Sequence, residues 1–502
     1  MTRSLRHAIE VRRLDADVIE LADRETGFLL ELEPESARLL EPQNQSPEAD
    51  DFWQKLDEMG LVERGLELAA VRRIQRKAFL GAQPSPLDRL IERLADVRER
   101  VPFFARRSDI YDPATIRTLS DIEKLPFIRK RDLRENFPDG FVPKGTNVAR
   151  GIEAGHLRLM ETSGTTGERL QILGTVACDL RHPFGCDALY GATIGSTTPR
   201  IALFTPPVCG GAVCHLGNAP LEDRIVAGTD DLLLNSTEDP FGIQMDLLEM
   251  FCADLERFKP TILMADPIYL QCVVRRATEL GVTIPRPPMI QLTFEFAPQT
   301  ARRDLERYFG VPVLDFYGAT EENRLAHQCH RGNVHARVDA VYLEIVNRDG
   351  PCPPGVVGAV AVTNFDAFTP LIRYLVGDIA AWTGVPCDCD FADWPTIEIH
   401  GRAKDMLRSR DRWVTTRQID RAIGAPEWLG MYRIVQTSAD RFEVDVLPAL
   451  GHVADFEDLR ERLRALFDPS QLKFRSVKRF DPLPSMKVGL AQNRVGGTPE
   501  IV

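Results

Sequence analysis

Residues 162–167 read Thr162, Ser163, Gly164, Thr165, Thr166, Gly167, with apolar Leu157 and Leu159 before them and an apolar run after. Small hydroxyls and bare backbone amides are what a protein offers a phosphate. Glycine lets the chain approach closely and take positive φ, and serine and threonine add donors. The stretch is not a Walker loop, because no lysine follows Gly167. Taken alone it reads equally well as a polar hairpin turn. Four later stretches carry further chemistry-bearing residues: "DFYGATEEN" with Tyr317, Gly318, Thr320 and Glu321; "IRYLVGDIA" with Asp378; "GRAKDMLRSRDRW" with Arg402, Lys404 and Asp405; and "PLPSMKVG" with Lys487. A cysteine–histidine group stands apart from these: Cys329 among His327, His330 and His335, then Cys387 and Cys389 in "PCDCDF".

Composition narrows what these residues can belong to. A chain of 502 residues with 44% apolar content builds large cores and predicts two to four domains. A formal net charge of −12 speaks against a nucleic-acid binder that relies on a global positive field. Arg3, Arg6, Glu10, Arg12 and Arg13 break up any secretory apolar region, and no apolar run reaches membrane-spanning length. Ten cysteines in so long a chain do not make a disulfide scaffold. The expectation is a reduced, cytoplasmic protein with no membrane or nucleic-acid partner.

The elements that must position these residues follow from periodicity. Residues 1–70 read as a small separate module: two short strands ("DVIELAD", "GFLLELEP"), then two amphipathic helices ("ESARLLE", "DDFWQKLDEMGLVE") with "PQNQSPEA" as the loop between them. Helical patterns follow in "AVRRIQRKAFL" and in "SPLDRLIERLADVRERV", where Ser85 is the N-cap and Pro86 the first helical residue. From about residue 120 to 400, short apolar runs alternate with helical patterns, which predicts an α/β core of βα units. "GAVAVTNF" and "IRYLVGDIAAW" read as strands of a more irregular β region. About 100 residues of mixed strands and helices close the chain.

Each motif has an ordinary reading. A strand-end tyrosine usually packs, an aspartate after glycine usually turns, and a lysine near a terminus is usually solvated. Five motifs in this order, at domain-scale spacing, are another matter. They resemble the adenylate-forming superfamily of acyl-CoA synthetases and adenylation domains, and within it the phenylacetate–CoA ligase-like branch, over residues 90 to 495. "LPFIRKRDLRENFPDGF" and "ADPIYL" fit the same branch. The resemblance implies an α/β, multi-subdomain adenylate-forming core (residues 71–402) and a small mobile α+β lid (residues 403–502), hinged at Lys404 and Asp405. It implies ATP and Mg²⁺, a carboxylic acid substrate and an acyl-adenylate. Thr162, Ser163, Gly164, Thr165, Thr166 and Gly167 would take the β- and γ-phosphates. Tyr317 would stack on adenine beside Gly318, Thr320 would touch the α-phosphate, and Glu321 would hold Mg²⁺. Asp378 would accept from the ribose hydroxyls, and Arg402 would lie near the nucleotide. Lys487 would bridge carboxylate and α-phosphate oxygens as a mobile point charge. Met486 and Leu490 stand where the family usually has glycine and arginine around that lysine.

The branch also implies a Cys₃His metal site, matched here by Cys329, His335, Cys387 and Cys389. Such a set suits tetrahedral Zn²⁺ in a structural role, since four protein ligands leave no open position. His330 remains an alternative to His335, and ordinary reduced thiols are the plain alternative to a metal. The N-terminal module resembles, in pattern only, the peptide-recognition winged-helix domain of pyrroloquinoline-quinone biosynthesis. That implies a leader peptide added as a strand to a sheet edge; packing on the core or homodimer formation is the other reading. In the hinge stretch "SRDRWVTTRQID", Asp411 stands where CoA ligases of the family usually have glycine, and Trp413 replaces a small polar residue. These two residues lean the acceptor away from CoA and towards an amine, with an aryl- or acyl-CoA ligase as the alternative and a degenerate, non-catalytic peptide-binding scaffold as a third reading.

Overall fold

The structure is a computed structural model. It describes residues 9–13, 19–23, 29–32, 36, 38–40, 46–58, 85–161, 170–175, 200–207, 219–226, 231–365, 367–389, 391–410 and 412–497. The chain forms two compact units, one of residues 1–83, 146–158 and 174–184, the other of residues 84–145, 159–173 and 185–502.

In the first unit, β1 (Ile9–Arg13), β2 (Ile19–Asp23) and β3 (Leu29–Leu32) form an antiparallel sheet in that order. The expected pair of strands is therefore a trio. "IEVRR" has only two apolar residues, so its strand character is easy to overlook in the sequence. Over "ESARLLE" the described residues are helical at Ser36 and form a 3₁₀ turn at Arg38–Leu40, and the next helix starts inside the expected loop, at Pro47. The Ser46 hydroxyl accepts the Ala49 amide at 3.1 Å, so Ser46 opens the helix Pro47–Glu58 and Pro47 follows it. Leu21, Leu32, Ala49, Trp53 and Leu56 make a small core, and the Trp53 indole donates to the Leu39 carbonyl at 2.9 Å.

The second unit opens with the helix Pro86–Arg100, whose cap is the one expected: Ser85 accepts from the Leu87 amide, with Pro86 at the first position. Leu90, Leu94 and Val97 recur at helical spacing and are buried with Phe103, Phe104, Tyr111 and Phe141. β4 (Leu157–Glu161) and β5 (Gln171–Thr175) pair with each other. Residues 162–167 fall between them, outside the described residues.

A seven-stranded sheet forms the centre of this unit. β6 (Ile201–Phe204), β7 (Leu232–Leu233), β8 (Ile262–Ala265), β9 (Met289–Leu292) and β10 (Val313–Ala319) run parallel in the order β7-β6-β8-β9-β10. β11 (Glu322–Gln328) and β12 (Val334–Ala336) extend it antiparallel. The short strands, wholly buried in β6, β8 and β9, alternate with the helices Met245–Phe258, Pro267–Leu280 and Gln299–Phe309, the expected βα pattern. Asp266 caps the middle helix and Gly281 ends it in the left-handed conformation.

β13 (Val341–Asn347), β14 (Gly350–Pro351), β15 (Gly358–Asn364), β16 (Tyr374–Trp382) and β17 (Ile397–Arg402) form an antiparallel sheet in the order β14-β13-β15-β16-β17. After it come the hairpin β18 (Leu407–Ser409) and β19 (Arg412–Val414), and a sheet of β20 (Leu429–Ser438), β21 (Arg441–Pro448), β22 (Leu472–Ser476) and β23 (Ala491–Asn493). This last segment shares one buried cluster with the helices of the seven-stranded sheet, so Leu429, Tyr432 and Val446 pack in the same core as Leu270 and Leu305. Polar contacts reinforce the junction. Arg303 donates to the carbonyls of Pro426 at 2.6 Å and Leu429 at 2.8 Å, and the Gln271 amide to that of Gly430 at 3.0 Å.

Arg373 anchors the start of β16. Its buried guanidinium donates to both oxygens of Glu344 at 3.0–3.1 Å and to the carbonyls of Glu123 and Leu125. Loss of one partner of a buried pair leaves an uncompensated charge. Arg373→Met is therefore expected to destabilise the second unit by about 3–5 kcal/mol, read as a lower denaturant midpoint at unchanged slope.

Candidate active site

β10 and β11 form a tight hairpin: Ala319 pairs with Glu322, and Thr320 and Glu321 are the two residues between. Beside this turn lies β16. The Tyr317 hydroxyl donates to Asp378 Oδ2 at 2.9 Å. Burial first, and the Asp378 charge second, push this phenol well above its ordinary pKa, so it stays a neutral donor. Asp378 and Arg402 are register partners on β16 and β17, with Arg402 Nε 3.7 Å from Asp378 Oδ1. Burial works against the Arg402 charge, but the carboxylates of Asp378, Asp405, Glu295 and Glu321 outweigh it and hold the guanidinium above its usual range.

Glu321 is buried, and its Oε1 accepts from the Tyr374 hydroxyl at 2.6 Å and faces Lys130 Nζ at 3.4 Å. At the expected hinge, burial lowers Lys404 and raises Asp405; each lies within range of the other's charge and of Arg402's.

The last element is a loop distant in sequence from all of these strands. Lys487 is only 7% exposed and donates to the Phe294 carbonyl, just beyond β9. Its loop is held on both sides: the Tyr269 hydroxyl donates to the Met486 carbonyl at 3.0 Å, and the Gly489 amide to Glu295 Oε1 at 2.9 Å. Lys487 acts electrostatically on Lys404, and Glu295 on Arg402 and Asp405. The structure thus gathers Tyr317, Gly318, Thr320, Glu321, Asp378, Arg402, Lys404, Asp405 and Lys487 into one neighbourhood. Thr162, Ser163, Gly164, Thr165, Thr166 and Gly167 lie outside the described residues. Sequence reading passed over Lys130, Tyr374, Asp266 and Glu295. Tyr374 could have been found, because the two-residue period of a strand puts it on the face of Asp378. Lys130 sits in an ordinary basic run and carried no such signal.

The cysteine–histidine group gathers away from these residues. Cys329 follows β11, His335 lies on β12, and Cys387 and Cys389 lie between β16 and β17. Their four ligand atoms lie within 4.8 Å of one another. Cys329 Sγ and Cys387 Sγ are 3.7 Å apart. That is too long for a disulfide, and it matches the edge of about 3.8 Å that a tetrahedron with Zn–S bonds of about 2.3 Å would have. His335 Nδ1 contacts the Trp394 carbonyl at 3.1 Å, which fixes the ring so that Nε2 faces Cys389 Sγ, 3.3 Å away. His330 is exposed and outside the group, so His335 is the histidine that lies with the three thiols. Donor chemistry, spacing and ring support all fit zinc.

No family model matches the chain. A phenylacetate–coenzyme A ligase of Thermus thermophilus is 28% identical over 387 residues, 72% of this chain and 79% of that protein. The Escherichia coli protein of the same name is 28% identical over 346 residues, 65% of this chain and 72% of its own. Among solved structures, a 2-hydroxyisobutyryl-CoA ligase in a postadenylation state, in complex with R3-HIB-AMP, superposes with a TM-score of 0.59 at 18% identity, covering 78% of this chain and 85% of that one. The mixed α/β fold is that of this coenzyme A ligase. The two curated relatives are coenzyme A ligases by name, and the solved neighbour shares the fold. Among the described residues no helix is long and apolar enough to cross a membrane.

One glycine of the site is dictated by space. Gly401 sits at φ +106, and a Cβ there would meet Thr416 Oγ1 at 2.8 Å and Thr416 Cβ at 2.9 Å. Gly401→Ala should cost about 1–3 kcal/mol in backbone strain, visible as a lowered melting temperature in differential scanning fluorimetry.

Proposed function

We propose that the protein activates a small carboxylic acid with ATP to an acyl-adenylate and passes the acyl group to the thiol of coenzyme A. The observation that carries this reading is the buried Lys487 ammonium, within range of Lys404, which in turn lies within range of Arg402 and its carboxylates Asp378, Glu295 and Glu321. A carboxylate oxygen attacks the α-phosphorus, the bond to the bridging oxygen breaks, and pyrophosphate leaves. Both reactants are anionic, so the barrier is mainly electrostatic. Lys487 would bridge the carboxylate and the α-phosphate, and Arg402 would add a second fixed cation. Asp378 would accept from the ribose hydroxyls. The hydrogen bond between Tyr317 and Asp378 would hold the tyrosine ring in place for adenine. Thr320 would donate to the α-phosphate, and residues 162–167 would take the β- and γ-phosphates. Glu321 would hold Mg²⁺, a hard cation that neutralises phosphate charge when bound. In the second step the thiolate sulfur attacks the acyl carbonyl and AMP leaves. Residues 403–502 would swing about Lys404 and Asp405 between the two steps, as a mobile lid on the core of residues 71–402.

The lean towards an amine acceptor gives way to the thiol. It rested on Asp411 and Trp413. Asp411 lies outside the described residues, and Trp413 is a half-buried member of the β18–β19 hairpin. The relatives are named coenzyme A ligases and favour the thiol. They lend no support to a leader peptide on residues 1–70. Convergence of the acid, arginine and lysine residues also speaks against a degenerate scaffold. The Cys₃His group is read as a structural zinc site: Cys329, His335, Cys387 and Cys389 would close the coordination sphere and leave no position for substrate.

Pyrophosphate exchange against a panel of acids, starting with phenylacetate, tests the first step. Lys487→Ala should abolish exchange while ATP binding persists, and Glu321→Gln and Asp378→Asn should each lower it by roughly a hundredfold or more. Exchange at the wild-type rate in Lys487→Ala would overturn the assignment. Product masses after incubation with ATP and an accepted acid, with CoA or with a panel of amines, decide the acceptor; amide without thioester would make the amine the acceptor and exclude coenzyme A.

Metal analysis of the purified protein should find about one zinc per chain. The double variant Cys387→Ser, Cys389→Ser should lose it and melt at lower temperature. A metal-free wild type whose stability matches that of the double variant would remove the site.

A further inference from the structure

Two acids near Lys487 take no part in the adenylation and transfer steps. Asp266 is fully buried at the end of β8, where its Oδ1 accepts from the amides of Ile268 and Tyr269, both at 3.0 Å. Its Oδ2 is buried and has no hydrogen-bond partner among the described residues. Glu295 follows Phe294; its Oε1 accepts from the Gly489 amide, and its Oε2 is likewise buried without a partner. Asp266 lies within range of the charges of both Glu295 and Lys487. Tyr269, in the first turn of the helix that Asp266 caps, holds the Met486 carbonyl. The loop that carries the lysine is therefore gripped from two elements, and two unpaired carboxylate oxygens share one buried ammonium.

We propose that Asp266 and Glu295 are positioning residues for Lys487: Glu295 pins its loop at Gly489, and the two carboxylates supply the negative charge that lets the ammonium stay docked for adenylation. The inference rests on the ligase reading for the role of Lys487. The physical argument is desolvation. An ammonium taken out of water needs more than one carbonyl to offset its lost hydration, and nearby carboxylates provide the rest. The reverse holds when the loop departs. Two buried acids are then left facing each other without their cation, and like charges so placed cannot both stay ionised. One must take up a proton.

This sets the direction of a pH effect. Burial first, and Glu295 second, push the Asp266 carboxyl up to about 7, while Lys487 pulls it down. Departure of the lysine raises the acid further, so docking releases a proton and is favoured as pH rises through neutrality. The other ionisable groups facing the acids are Tyr269 and Cys272, both kept neutral by burial, with Arg402, Lys404 and Asp405 around Lys487 and Glu295.

Three variants separate charge from contact. Asp266→Asn keeps a capping oxygen for the helix and removes only the charge. Glu295→Gln keeps an acceptor for Gly489, and Glu295→Ala removes it. Two readouts are needed. Hydrogen–deuterium exchange over residues 484–490 reads docking without any substrate. Pyrophosphate exchange with phenylacetate, or with whichever acid the panel identifies, is followed from pH 6 to 9 and set beside thioester formation from preformed acyl-adenylate and CoA. Glu295→Ala should lose protection at Gly489, and Glu295→Gln should retain part of it. All three should lower kcat for pyrophosphate exchange roughly ten- to a hundredfold, with little change in KM for ATP. Thioester formation should change far less. The wild-type ratio of adenylation to transfer should rise across neutral pH, and Asp266→Asn should flatten that rise. Wild-type protection in Glu295→Ala, or a wild-type rate and pH profile in Asp266→Asn and Glu295→Gln, would overturn the proposal. A wild type that exchanges pyrophosphate with no acid, yet shows the expected protection pattern, would count against the ligase reading and still support the docking role of Glu295.

Discussion

A buried ammonium needs anions and oriented dipoles around it, and that requirement organises this molecule. Lys487 is almost wholly out of water, at the tip of a loop that reaches it only after the last sheet has packed on the helices of the core. Its carbonyl partner, its two nearby acids and the tyrosine that holds its neighbour come from β8, from the helix after it and from the segment after β9. In an open parallel sheet these are the carboxyl ends of adjacent strands, the usual place for a ligand crevice. Packing delivers the lysine there; charge makes it tolerable there.

The remaining site residues depend on β16 in a similar way. Arg373 fastens the start of that strand to Glu344 and to two backbone carbonyls. Tyr374 then reaches Glu321 and Asp378 reaches Tyr317, so one strand holds two residues of the neighbouring hairpin in place. The Cys₃His group joins the same strands elsewhere along their length: Cys329 follows β11, and Cys387 and Cys389 follow β16. A closed metal site there would fix the separation of the two sheets without entering the chemistry. That agrees with a set of four protein ligands and no open position.

Much of this was legible in the chain itself. Ser85 and Pro86 announced a helix start that the structure reproduces, and "PTILMAD" followed by "PIYLQCVVRRATELG" announced a strand and its crossover helix. Such signals are local, set by caps, glycines and apolar periodicity, so they survive without knowledge of the partner element. The N-terminal strand Ile9–Arg13 did not announce itself, because its apolar residues are few and its pairing with β2 is what makes it a strand.

By itself the sequence determined the order of the motifs, the residue types able to meet phosphate, ribose and metal, and the alternation that makes an α/β core. It could also name Lys487 by resemblance. The tertiary structure alone decided that Lys487 meets Phe294, 193 residues away. It also decided that His335 and not His330 completes the thiol group, and that Asp266 and Glu295 face the lysine at all. The reason is physical. Periodicity tells which face of an element is apolar, but not which other face it will meet. The environment of a carboxylate, and hence its charge, is created only when those faces close.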